Sequence, residues 1–279
     1  MSTETMTIID AWAQPASLQG FQQVPEILRL FAQSGTSRFL ETGLTPAETG
    51  ALMVRAGIQT VLLSAWCRPG AWVFSNDDVA AIVRQFPDRF IGVAAVNLER
   101  PLAAVHELER AVSDLGFKAL RVIPWLWNRP PNDKLYYPLY VKCIELDIPF
   151  CTQVGHTGPL HPSETGRPIP YLDEVALTFP ELRIVGGHIG YPWTDEMISL
   201  AWKHANVYID TSAYLPRYYP PSLLHFLRTY GKDKVLFATN FPQLPFESCT
   251  QQALALDLPP DVRARFLHDN AQRVFKLNV

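Results

Sequence analysis

The stretch "LRIVGGHIGYPWTDEMISLAWKHANVYID", residues 182–210, decides the fold. It opens on an apolar run, 182–187 (LRIVGG), and crosses a Gly- and Pro-bearing turn. A helical pattern follows over 194–204, and 206–210 (NVYID) is again strand-like. Strand, helix and strand in so short a span is the unit from which parallel sheets are built. The runs are apolar throughout rather than alternating, as strands covered on both faces must be. Working outward, further runs fall at 7–10 (TIID), 58–64, 90–96, 118–123, 148–153 and 234–239, with helical patterns between them such as 75–86, 101–115, 135–146, 171–179 and 220–230. Ser75 caps a helix whose first turn carries Asp77 and Asp78, and Pro101 occupies a first-turn position. Eight strands, each with its helix, predict an α/β fold, a single (β/α)8 TIM barrel spanning 1–279. A doubly wound sheet would want a glycine-rich turn after the first strand, and "DAWAQP" at 10–15 has none. Residues 16–45 read as an extended loop after strand 1, with one weak helix at 24–33, that caps the barrel mouth.

The chain has 279 residues, 48% hydrophobic and 18% charged, with a formal net charge of −3, which argues against nucleic acid or an anionic membrane as a partner. No apolar run approaches the roughly 20 residues of a bilayer span. The first residues lack a basic segment followed by an apolar one, and Cys67, Cys143, Cys151 and Cys249 have no CxxC spacing. A cytoplasmic protein with reduced thiols is the expectation.

Chemistry in such a barrel belongs at the C-terminal ends of its strands. Read in order, those ends carry Asp10, Trp12 and Gln14; Ser64, Trp66 and Cys67; Asn97; Arg121, Trp125 and Trp127; Gln153 and His156; His188; Asp210 and Tyr214; and Asn240. The ring is polar, aromatic and nearly free of carboxylates. Its aromatic side chains suit a flat or cyclic small molecule.

The segments "GFKALRVIPWLWNRPPNDKLYYPLYVKCIELDIPFCTQVGHTGP", "IVGGHIGYPWTDEM", "VYIDTSAY" and "VLFATNFP" resemble the amidohydrolase-related barrel family. That group includes aminocarboxymuconate-semialdehyde and resorcylate decarboxylases and several lactonases, and the resemblance runs from Ile8 to "HDNAQRVFKL" at the C-terminus. It implies a divalent-metal site of two histidines after strand 1, one at the end of strand 5 and an aspartate after strand 8. Those positions hold Trp12, Gln14, Gln153 and Asn240. An indole N–H only donates, and neutral amides are poor zinc ligands, so the expectation is a site without metal or other cofactor. A register slip placing His156 at the strand-5 position would leave a weak pair, His156 and His188.

The resemblance makes His188 the acid/base histidine. Asp210 is expected to orient it or act as a base, and His156 to serve as a second base or substrate contact. Arg121 is expected to grip a substrate carboxylate, or failing that to pair with Asp210. Trp12, Gln14, Gln153, Asn240, Trp125 and Tyr214 complete the substrate-binding set, with the amides polarising a carbonyl or else satisfying one another. The leading functional expectation is a metal-independent hydrolase of a small carboxylated ring compound. A carboxy-lyase and a non-catalytic binder are the alternatives, and a homodimer is expected from the resemblance alone.

Overall fold

The computed structural model describes residues 7–279. Eight parallel strands run in chain order: β1 (Ile8–Ala13), β2 (Ile58–Ser64), β3 (Phe90–Val93), β4 (Leu120–Val122), β5 (Phe150–Gln153), β6 (Ile184–Gly187), β7 (Val207–Asp210) and β8 (Val235–Leu236). They form two ladders, β1-β2-β3 and β4-β5-β6-β7-β8. Parallel bridges join the ladders at both seams, Ala94 to Leu120 and Ala13 to Phe241. Single hydrogen bonds, such as Arg121 N–H to the Ala94 carbonyl (2.7 Å) and Ala11 N–H to that of Phe237 (3.0 Å), reinforce them. The expected (β/α)8 order is therefore present.

The barrel interior is filled by Ile9, Ala11, Leu62, Val93, Cys151, Val185 and Leu236, and closed from below by Val274 and Phe275 of the C-terminal helix. A larger apolar layer lies between the sheet and the outer helices. Helices form where the pattern predicts them, at Asn76–Gln85, Pro101–Ser113, Tyr137–Glu145, Tyr171–Thr178, Thr194–Lys203 and Pro221–Arg228. The cap on the first is a full capping box between Ser75 and Asp78.

Three features depart from expectation. β1 continues past Asp10 to Ala13, with an irregular register between them, so Trp12 lies within a strand rather than after it. Trp66–Arg68 and Ala71–Phe74 form an antiparallel hairpin above β2, turned through Pro69 and Gly70, whose φ of 76° suits glycine. The loop after β1 is mostly helical: it folds as a 3-10 turn (Pro25–Ile27) and a helix (Leu28–Gln33), and Pro46–Ala56 carries its own Thr45/Glu48 capping box.

Candidate active site at the barrel mouth

The turn after β6 is built around a steric restriction. A side chain at Gly187 would stand 2.7 Å from Trp12 Cζ3 and 2.9 Å from Asp210 Oδ2, so only glycine lets β6, Trp12 and Asp210 meet. The chain then turns through the left-handed region at His188 (φ 67°), Ile189 (φ 52°) and Gly190 (φ 76°). Ala213 (φ 65°) and Asn240 (φ 69°), also on the mouth, share that conformation. Such backbone strain in non-glycine residues concentrates at functional sites.

His188 is held from three sides. Its Nδ1 lies 2.6 Å from Ser212 Oγ, its backbone N–H donates to the same oxygen at 3.3 Å, and Trp12 packs on the ring at 5.0 Å between centroids. The Ser212 hydroxyl also bonds Asp210 Oδ1, which accepts the Ser212 N–H at 3.0 Å. With Nδ1 engaged, Nε2 is the free ring nitrogen of a residue that lines the cavity. Burial, then the Arg121 cation, depresses the imidazole to about 3, so the ring is neutral at physiological pH. Burial raises the Asp210 carboxyl, opposed by its hydrogen bonds from Ser212.

Arg121 corrects one expectation. It is 2% exposed and does not line the main cavity. From β4 its guanidinium enters the barrel interior and stacks 3.5 Å from the centre of the Trp12 ring. Its donors go to backbone carbonyls of β1, Ala11 at 3.1 Å and Ala13 at 3.5 Å. It cannot reach a ligand at the mouth, and it makes no direct pair with Asp210. Its charge acts at a distance on Asp10 and Asp210, and burial lowers its own pKa to about 10.

The cavity, about 230 Å³, is walled by Trp12, Phe21, Phe31, Trp66, Trp125 and Tyr214, with Gln14, Gln153, His156, His188 and Asn240 as polar members. Among the described residues, no Lys, Arg, Asp or Glu lines it. Phe21 and Phe31 come from the segment after β1, which therefore roofs the site. The amides are largely committed to one another. Gln14 Nε2 donates to the Phe241 carbonyl (2.7 Å) and to both oxygens of Asn240 (3.2 Å each). Asn240 Nδ2 donates to Gln243 Oε1 (2.6 Å), and Gln153 Oε1 accepts from Trp125 Nε1 (2.8 Å). The amide donors expected to polarise a carbonyl are largely occupied for that reason, and among the described residues Trp12 Nε1 is the unpartnered donor of that set that remains.

The same pattern tests the implied metal. Gln153 has its polar groups in protein hydrogen bonds, Gln14 keeps only a neutral amide oxygen, Oε1, without a partner, Trp12 offers only an N–H, and the Arg121 cation lies against its ring. No group of three His, Cys, Asp or Glu able to hold a metal occurs among the described residues. His156 is exposed in the loop past β5, its Nδ1 3.3 Å from both the Tyr191 carbonyl and Tyr214 Oη. The residues at these positions do not fit a divalent ion.

The sequence-predicted residues Trp12, Gln14, Trp125, Gln153, His156, His188, Tyr214 and Asn240 thus meet around one cavity, with Asp210 behind His188. Trp127 packs away from the mouth, and Cys67 is a buried thiol pushed up to about 12, unsuited to nucleophilic work. Ser212, Phe21 and Phe31 were not predicted. Only the "DTS" tripeptide hinted at the first.

The amidohydrolase family profile matches residues 10–277. The chain belongs to the amidohydrolase family. Among its relatives, a gamma-resorcylate decarboxylase of Rhizobium radiobacter is 25% identical over 254 residues, covering 73% of this chain and 75% of that one. A 2-keto-4-carboxy-3-hexenedioate hydratase of a Sphingobium strain is 26% identical over 244 residues, covering 72% and 70%. An uncharacterised TIM-barrel protein of Bordetella bronchiseptica superposes with a TM-score of 0.84 at 25% identity, covering 97% of this chain and 98% of that one. A 5-carboxyvanillate decarboxylase of Sphingomonas paucimobilis gives 0.70 at 19%, covering 98% and 100%, a likeness of fold. These amidohydrolase-family relatives, decarboxylases foremost, favour lyase chemistry over the hydrolase expected first.

Proposed function

We propose that the chain is a carboxy-lyase that removes CO₂ from a small, planar, singly carboxylated aromatic acid without a divalent metal. The observation that carries this reading is a neutral imidazole whose free Nε2 belongs to an aromatic cavity lined, among the described residues, by no Lys, Arg, Asp or Glu. A carboxylate drawn into such a cavity loses hydration that its charge-dispersed transition state needs less, which favours departure of CO₂. His188 Nε2 delivers the proton to the ring carbon that the carboxyl group leaves. Trp12, Trp66 and Trp125 hold the ring, while Tyr214 and His156 stand at the mouth. Similarity to the gamma-resorcylate decarboxylases supports the reaction type, and the committed amides speak against carbonyl hydrolysis.

The test is incubation with 2,6-dihydroxybenzoate, reading CO₂ release and the decarboxylated phenol. Turnover by wild type, undiminished by chelator and lost in His188→Gln, is expected. Turnover that appears only when manganese or zinc is added would overturn the metal-free part. Hydrolysis of an aromatic lactone with no CO₂ from any acid would overturn the lyase.

A further inference from the structure

We propose that Ser212 is a proton relay between His188 and the buried carboxyl of Asp210, so that the hydroxyl sets which ring nitrogen of His188 carries the proton. The inference rests on the acid/base role given to His188 above and adds how that role is recharged.

The hydroxyl oxygen of Ser212 meets three groups: His188 Nδ1 at 2.6 Å, His188 N–H at 3.3 Å and Asp210 Oδ1. A serine hydroxyl has one proton to give and two lone pairs to receive. One lone pair is always taken by the His188 backbone N–H, which leaves two complete arrangements. With Asp210 ionised, Ser212 donates to the carboxylate and accepts from Nδ1–H, leaving Nε2 bare toward the cavity. With Asp210 protonated, the carboxyl donates to Ser212, Ser212 donates to Nδ1, and Nε2 carries the proton. Every donor and acceptor of the hydroxyl is satisfied in both states, and each differs from the other by the position of protons alone.

The proton balance follows. Nε2–H passes to the substrate carbon, Nδ1 takes the Ser212 proton, and Ser212 takes that of Asp210. The carboxylate left behind regains its proton from solvent after CO₂ and product depart. The imidazolium, which burial and the Arg121 cation disfavour, is bypassed. A buried carboxyl is a suitable store, because burial opposes its ionisation. Asp210 Oδ2 has no hydrogen-bond partner among the described residues. The charged and titratable groups acting on the pair are Arg121 from β4, Asp10 from β1, Cys151 from β5, His156 from the loop after β5 and Tyr219 beyond β7.

The experiment is nitrogen NMR of the His188 ring in ligand-free protein across the whole pH range in which it stays folded, which needs no substrate. Wild type is expected to change from the Nε2–H to the Nδ1–H tautomer as pH rises, with no imidazolium signal. Ser212→Ala should lose this pH-dependent exchange, Ser212→Thr should keep it, and Asp210→Asn should hold one tautomer throughout. One unchanging tautomer in wild type, or the same exchange in Ser212→Ala, would overturn the relay. In turnover, Ser212→Ala is expected to lower kcat about 100-fold with KM little changed, and Ser212→Thr to restore it. An intact tautomer exchange beside full activity in His188→Gln would instead sink the acid/base role and leave the hydrogen-bond relay standing.

Discussion

At Arg121 a residue type was legible and its use was not. A guanidinium at a strand end reads equally as a ligand clamp or as an internal cation, and the choice depends on whether its side chain clears the strand beside it. Here the Trp12 indole covers it, and the bulged carbonyls of β1 take its donors. The cation thereby serves Asp10 and Asp210, two fully buried carboxyls. Removing one member of a buried charge set costs about 3–5 kcal/mol, because the others remain uncompensated. Arg121→Met is therefore expected to lower the thermal midpoint markedly. Arg121→Lys should recover only part of the loss, since a compact, strongly hydrated ammonium lacks the planar face that stacks on the indole and costs more to bury. Calorimetry of the three proteins checks this. A ligand clamp would behave in the opposite way, with midpoint unchanged and KM raised. Gly187 is the second single-residue test. Its replacement by alanine drives a methyl into Trp12 and Asp210, so Gly187→Ala should lose both stability and turnover, where an exposed glycine in ordinary β conformation would tolerate it.

Among the elements, those defined by apolar runs and caps were readable, and those defined by tertiary contact were not. The Asn76–Gln85 helix announced itself through Ser75 and its acids. By contrast, Trp66–Phe74 is too short to show a period, and the segment after β1 takes its order from what it covers. That roof is held by the packing of buried Phe21 on Trp66 and Phe74 and by a few polar contacts. Arg68 donates to the Gln23 carbonyl at 2.7 Å and meets Glu26 at 3.1 Å, while Arg29 donates to the Gly158 carbonyl at 2.8 Å. A single partly buried ion pair such as Arg68–Glu26 contributes about 1 kcal/mol, so removing it loosens the roof without touching the barrel. Arg68→Ala is expected to leave the thermal midpoint within about 2 °C while speeding proteolytic cleavage in residues 17–33. It should also weaken substrate binding several-fold, because Phe21 and Phe31 are then held less firmly over the cavity. Limited proteolysis and KM report on the two effects. Equal loss of global stability would place the roof within the cooperative core.

For the whole molecule, the barrel was legible because eight buried parallel strands leave an apolar signature that few other architectures share. The Ser212 relay was not, because it joins side chains on the ends of neighbouring strands, β6 and β7, that only the barrel's register brings together. The buried charges also give stability a pH dependence made of opposing parts. His188 is depressed from 6.5 to about 3, so between those values the unfolded chain binds more protons than the native one, and stability is lost as pH falls through that window. Asp10 accepts from Trp12 N–H, Thr239 N–H and the Thr239 hydroxyl, yet burial prevails and raises it from 3.8 to about 7. Its native state holds the extra proton, so its contribution is present below about pH 4 and fades as pH rises through 7. Wild type should therefore show a shallow profile between pH 4 and 6.5, where the two slopes cancel in part. In urea denaturation, His188→Gln should remove the rising slope and leave stability falling with pH. Asp10→Asn should reduce the falling slope, which Asp210, likewise raised by burial, then carries alone, each group contributing no more than about 1.4 kcal/mol per pH unit. Parallel profiles for all three proteins would mean that neither group is held away from its ordinary pKa, and that the neutral imidazole at the cavity owes nothing to the barrel around it.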